Sequence, residues 1–356
     1  MCGAGHGGWA PADDTLAWGP EHFTPALVRF VIEQAIERPF DEVSATVESA
    51  GNVPVDGETV RRVTERLGQQ AEQQEQTPIA AVAAGDREIR DPDLPEPEAL
   101  MVAVDGAMVH FREDHAGHAG KVGVSVPLAL RGSLGPGVQG IRLTAPDYCV
   151  GLEPRTEFWS RMEAHAVQNG LEAPSCQLIP WLGDGAHGIG EEGDTHLHLP
   201  GKTLITTVDI FHAREHLWAF AAAQFGSGTE PYTTWAAHFN DILEADGVGP
   251  LLDALAECSS QDARDPAGVH THAQYFSHQQ TRRDYPRYAR MGLPIGSGII
   301  ESAGKTVLKH RLSAGGMRWT HPGAQAVATL RAVHRSHHGD AWWRTQPYAR
   351  AARSIA

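Results

Sequence analysis

Residues 99–110 read ALMVAVDGAMVH. Six apolar residues in a row, Ala99 to Val104, followed by Asp105 and Gly106, make the pattern of a strand buried on both faces that ends in a carboxylate and a turn-permissive glycine. A strand over Ala99–His110 carrying Asp105 is therefore expected. Working outward, Lys121 to Leu130 and Gly140 to Val150 read as further strands, and Glu153 to Gly170 as a helix. Cys176 to Gly183 reads as a fourth strand delivering Asp184, Lys202 to Ile210 as a fifth, and His212 to Phe225 as a helix. Three strands, a helix, a strand and then a further strand and helix give an α/β order with a mixed sheet. Ligands of such sheets bind beyond the carboxyl ends of strands, where Asp105 and Asp184 fall.

Ahead of the sheet lie three helical patterns. His22 to Glu37 is amphipathic through Leu27, Phe30, Val31 and Ala35, and Asp41 to Ser49 is short; the third follows Asp56 as a cap. That third helix turns Val60, Val63 and Leu67 inward and Arg61, Arg62 and Arg66 outward, the form of a helix-turn-helix reader of DNA and equally of a plain helical bundle. Gln69 to Glu98 is rich in Gln, Pro and acid and reads as a linker. Behind the sheet, Pro231 to Arg290 is helical in pattern. It ends in a basic, aromatic run, Arg282, Arg283, Tyr285, Arg287, Tyr288 and Arg290, which suits a phosphate backbone or simply an exposed helix face.

Leu293 to Trp319 reads as a glycine turn that feeds a helix from about Gly298 to Ser313, with Ser297 able to cap it. Ile300, Ala303, Val307 and Leu308 share one side; Glu301, Lys305 and Lys309, spaced four apart, share another. The same spacing describes a solvated face with a Glu-to-Lys pair, or a carboxylate for a metal ion flanked by lysines for phosphates. Asp105 and Asp184 supply the other carboxylates that two-metal phosphodiester cleavage needs, although each Asp-Gly alone is more often a turn. Asp209, which also ends an apolar strand, competes with Asp184; the glycine after Asp184 favours the latter.

Composition narrows the classes further. The 356 residues carry 29 Lys+Arg against 44 Asp+Glu, a net charge of -15, which argues against a nucleic-acid partner until the distribution is considered. From His270 onward there are 13 basic and 3 acidic residues, and before it 16 and 41, so a basic region is attached to an acidic body. No apolar run is long enough for a membrane helix, and a cytoplasmic location is expected. The four cysteines are too scattered for a disulfide framework, and the histidine pairs His196/His198 and His270/His272 lack zinc-finger companions.

VAVDGAMV at 102–109, WLGDGAHGI at 181–189, DIFHAREHLW at 209–218 and GLPIGSGIIESAGKTVLKHRLSAGGMRWTHPGAQAVATLRA at 292–332 together resemble the ISKra group of bacterial insertion-sequence transposases. The likeness runs from near Thr24 to about Trp343. It implies an RNase H-like DDE catalytic domain with Asp105, Asp184 and Glu301 as the triad, Mg2+ or Mn2+ as cofactor, and double-stranded DNA, both element ends and target, as partner. A homodimer is expected, because two ends must be brought together. Members of the group carry a Cys-rich segment ahead of this point, of which Cys2-Gly3 would be a remnant, so the chain is expected to be a shortened copy. Arg61, Arg62, Arg66, Arg282, Arg283, Arg287, Lys305, Lys309, Arg311 and Arg318 are the expected DNA contacts, with Trp319 capping the helix end. The expected organisation is an irregular segment over 1–20, a helix-turn-helix-like region over 21–68, the linker over 69–98, the core over 99–230, a helical insertion over 231–292, the rest of the core with the Glu301 helix over 293–345, and a tail over 346–356. Two rival readings stand beside this one. His212-Ala213-Arg214-Glu215-His216 matches the H-x-x-E-H spacing of a zinc hydrolase, and a decayed copy would bind DNA without cutting it.

Overall fold

The computed structural model describes residues 23–90, 92, 96–112, 117–128, 133–135, 138–139, 145–183, 189–258, 262–278, 280–296 and 298–346. The expected segment over 1–20, all of the expected tail over 346–356 except Gln346, and Ser297 and Asp184 lie outside the described residues.

Strand β1 (Ala99–His110) is the centre of the sheet. Its first five residues are buried, as its unbroken apolar run requires of a strand covered on both sides; beyond Gly106 the pattern alternates where one face opens. β2 (Gly117–Leu128) pairs with it antiparallel, and a small separate hairpin of β3 (Ser133–Gly135) and β4 (Val138–Gln139) precedes β5 (Asp147–Gly151), which pairs antiparallel with β2. On the other side of β1 run β6 (Leu178–Gly183) and β7 (Thr203–Val208), both parallel. Among the described residues this gives a five-stranded mixed sheet in the order β5-β2-β1-β6-β7. β1 pairs with β6 only as far as Ala103↔Leu182, so Asp105 emerges just past the end of its parallel neighbour.

Helix α4 (Arg155–Gln168) covers one face, where Leu100, Val102 and Ile179 pack against Phe158, Trp159 and Met162. A helix absent from the sequence reading, α5 (Ile189–His196), comes between β6 and β7 in sequence, and His196 stacks on Trp159 at 4.7 Å. The opposite face is covered by the segment that carries Glu301: α11 (Gly298–Ala303), a π-helical stretch (Gly304–Lys309) and a last turn (His310–Leu312). Helix α12 (His321–Arg335) lies beside it, and α13 (Gly339–Thr345) follows. Ile300, Ala303, Val307 and Leu308 are all buried against Met101, Ala103 and Val124, and burying each branched side chain contributes roughly 1.5–3 kcal/mol. Trp319 donates its indole N–H to Leu312 O at 3.2 Å and so closes the end of the helix.

The N-terminal helices α1 (Pro25–Ala35), α2 (Phe40–Gly51) and α3 (Gly57–Ala83) form a bundle whose core also takes Leu330 and Trp343. Thr24 and Asp56 cap α1 and α3, and Asn52 in the left-handed region ends α2. Two expectations fail here. Phe30 is 37% exposed; the inward row of α1 is Val28, Val31, Ile32 and Ala35. The linker expected over 69–98 is helical as far as Ala83, because Gln, Glu and Ala are good helix formers and α3 has something to pack on. Gly68 meets α12 so closely that a Cβ would stand 2.3 Å from Ala326 O, and Arg161 of α4 pairs with Glu75.

The insertion holds α7 (Glu230–Ala245), α8 (Gly249–Glu257), α9 (Pro266–Ser277) and α10 (Tyr285–Arg290), which pack with α6 (Ile210–Phe225) around a core of Phe220, Leu243, Leu251 and Phe276. Among the described residues no helix is long and apolar enough to cross a membrane.

Candidate active site

The middle of β1, just past the end of its pairing with β6, and the carboxyl ends of β6 and β7 meet the Glu301 helix in a cavity of about 430 Å3. Asp105 enters it from β1, Asp209 from the end of β7, Glu301 from α11, and His212 and Glu215 from α6; Lys305 and Lys309 also line it. The helix approaches Asp105 backbone first: a Cβ on Gly304 would stand 2.6 Å from Asp105 Oδ2, so glycine is the residue that admits the carboxylate there. Asp105 Oδ1 also accepts from Gly106 N at 2.7 Å.

Glu301 Oε2 lies 3.6 Å from Lys305 Nζ. With the lysine side chain 70% exposed, that pair contributes only about 0.3–0.5 kcal/mol, so it leaves Glu301 available for other work. Asp209 is 2% exposed and accepts from Phe211 N at 2.9 Å, capping α6, while its own N–H holds Gly183 O at 2.9 Å. The runner-up carboxylate of the sequence reading thus lines the cavity; Asp184 follows Gly183, another lining residue, and lies outside the described residues.

The H-x-x-E-H string divides. His212 Nδ1 is 3.8 Å from Glu215 Oε2 in the cavity, whereas His216 stacks on Tyr275 at 3.6 Å and brings its Nδ1 within 3.0 Å of His272 Nδ1. Burial, with His272, His212 and Arg283 adding to it, pushes His216 down to about 4 and keeps it neutral. Among the described residues no three His, Cys, Asp or Glu side chains are grouped closely enough to hold an ion. The described donors are carboxylate oxygens, the hard ligands that Mg2+ and Mn2+ take, and in kind they fit such an ion.

The expected DNA contacts separate into three groups. Lys305 and Lys309 are exposed at the cavity; Arg62, Arg287 and Arg318 are exposed elsewhere. Arg61 is held by Glu58 and Glu65, and Arg66 and Arg282 are half-buried. Arg283 must be withdrawn from the phosphate-facing surface, and Arg311 does not reach this cavity. Arg283 is 0% exposed, 4.3 Å over the Tyr275 ring, and donates to Phe276 O; Tyr285 and Tyr288 beside it are buried too. Arg311 is 2% exposed and faces away from the Glu301 row. Sequence reading missed Gly304, whose only signal is a glycine inside a helical pattern, a mark of close backbone approach.

No protein-family model matches the chain, and a search of the curated proteins finds no match either.

Proposed function

We propose that the chain is a metal-dependent enzyme of phosphodiester chemistry on DNA. Within that class it is an insertion-sequence transposase that frees 3′-hydroxyls at element ends and joins them to target DNA. The observation that carries this reading is the convergence in one cavity of Asp105 from a central strand and Glu301 from a distant helix, with Lys305 and Lys309 on the same row. The mixed five-stranded sheet with helices on both faces supports an RNase H-like core, and the three-helix bundle ahead of it, with Arg62 exposed on α3, supports a DNA-facing N-terminal region.

In this reading Asp105, Asp184 and Glu301 hold Mg2+ or Mn2+, which activates the attacking hydroxyl and stabilises the leaving oxygen when bound. Lys305 and Lys309 hold the flanking phosphates, and their exposure leaves them free to follow the strand. Asp209 ties the end of β7 to Gly183, fixing the backbone that precedes Asp184. Two ends must react together, so the working form is a homodimer. Glu301→Gln removes a charge without changing shape. It is expected to abolish Mg2+-dependent cleavage of element-end DNA while DNA binding persists; a variant that still cleaves takes Glu301 out of the mechanism.

A further inference from the structure

A second cavity, about 470 Å3, lies beyond the far end of β1 and is lined by Phe40, Arg112, Arg311, Arg318, Trp319 and Thr320, among others. At its wall Arg311 is almost fully buried between two rings, 4.9 Å from Phe40 and 4.6 Å from Trp319. Its Nε donates to Ala35 O at 3.1 Å and its Nη1 lies 3.6 Å from Met317 Sδ. Among the described residues no carboxylate stands within ion-pair distance of it. Burial first, then Arg331, pulls its pKa down to about 10, against the weaker pull of Glu37 and Glu42. A cation withdrawn from water without a counter-ion costs several kcal/mol, so this one is poised for an anion that comes from outside.

The surroundings complete such a site. Arg112 is pinned at the mouth, its N–H on Trp319 O at 2.8 Å and its Nε on Arg318 O at 2.9 Å, and its Nη groups make no bond among the described residues. Of the acidic lining residues, Glu58 and Glu65 are taken by Arg61, which leaves Asp41 against Arg112 and Arg311.

We propose that this cavity anchors one backbone phosphate of the DNA whose bond is cut at the Asp105–Glu301 cavity. The proposal rests on the function argued above. Both cavities are built on the same two elements: Lys309 lines one and Arg311 the other, and Asp105 and Arg112 belong to one extended segment. At about 3.3 Å per residue the two ends of that segment are up to ~23 Å apart. That distance spans roughly seven base steps at ~3.4 Å each.

The test is the salt dependence of binding of the full chain to a ~30-base-pair duplex, read by fluorescence anisotropy. Wild type is compared with Arg112→Ala/Arg318→Ala and with Arg311→Met, which keeps the stacking volume and removes the charge, folding being checked by circular dichroism. Each variant is expected to weaken binding and to flatten the slope of log K against log[salt] by about 0.9, one phosphate contact. Variants that fold and bind with the wild-type slope overturn the anchoring site and leave the proposed function standing. A wild-type chain that binds no duplex overturns both.

Discussion

At the scale of single residues, Gly304 links the sequence to the candidate chemistry most directly. In a helix interior, alanine is ordinarily favoured over glycine by about 1 kcal/mol, so Gly304→Ala should be tolerated or stabilising if nothing opposed it. Here the added methyl would stand 2.6 Å from Asp105 Oδ2, and the carboxylate must move. Gly304→Ala is therefore expected to leave the melting temperature within a few degrees of wild type while cleavage falls roughly a hundredfold, the scale of an ångström-sized misplacement. Unchanged cleavage would mean that Asp105 has room to spare. The opposite lesson comes from Arg283 and Arg311. Counting charges along a helix assigns both to an exposed face, yet a guanidinium is flat and weakly hydrated enough to stack on aromatic rings in the interior. Tyr275 for Arg283, and Phe40 and Trp319 for Arg311, lie too far off in sequence for a local pattern to reveal the pairing.

At the scale of elements, the Glu301 helix was legible in position and facing, and not in its winding. Its glycine entrance, apolar row and acidic-basic row all fall where the four-residue spacing puts them. In a pure α-helix each step of four residues drifts by ~40°, because the turn is 3.6 residues. The wider π turn over Gly304–Lys309, where His310 N reaches back to Lys305 O, counters that drift and keeps Lys305 and Lys309 in the row of Glu301. Nothing in the local sequence marks the π segment, because its support is remote. Buried Arg331 donates from Nε to Val307 O at 2.7 Å and from Nη2 to Thr306 O, while its charge is met by Glu37 at 3.2 Å. Arg331→Met strips those donors from buried carbonyls and is expected to cost about 3–5 kcal/mol in urea unfolding. A loss below about 1 kcal/mol would show that the π segment does not depend on Arg331. The misread linker has the same origin: Gln- and Glu-rich sequence is a spacer or a helix according to whether a partner surface exists, and for α3 the partner is α12, joined at Gly68.

At the scale of the whole molecule, the mixed sheet flanked by helices was legible because apolar runs are local signals, whereas the burial of ionisable groups depends on all layers at once. A cavity of about 360 Å3 between α3, α4 and the C-terminal helices brings together Glu75 and His165, with Asp147 and His338 paired at 2.6 Å beside them. Burial pushes Glu75 up to about 7 against the pull of Arg161, and pushes His165, whose Nδ1 lies 3.2 Å from Ser125 Oγ, down to about 4 against the pull of Asp147. The two act oppositely on stability. Glu75 takes its proton more readily folded than unfolded, so its contribution is complete below pH ~4.5 and is lost as pH rises through 7. His165 releases its proton more readily folded, so its contribution is complete above pH ~6.5 and is lost as pH falls through 4. Between pH ~4.5 and ~6.5 they offset each other, each by on the order of 2 kcal/mol. Urea unfolding across that window is therefore expected to find Glu75→Gln losing stability relative to wild type as the solution is acidified, and His165→Gln gaining it. Parallel pH profiles for the three proteins would show that neither group titrates differently in the folded chain.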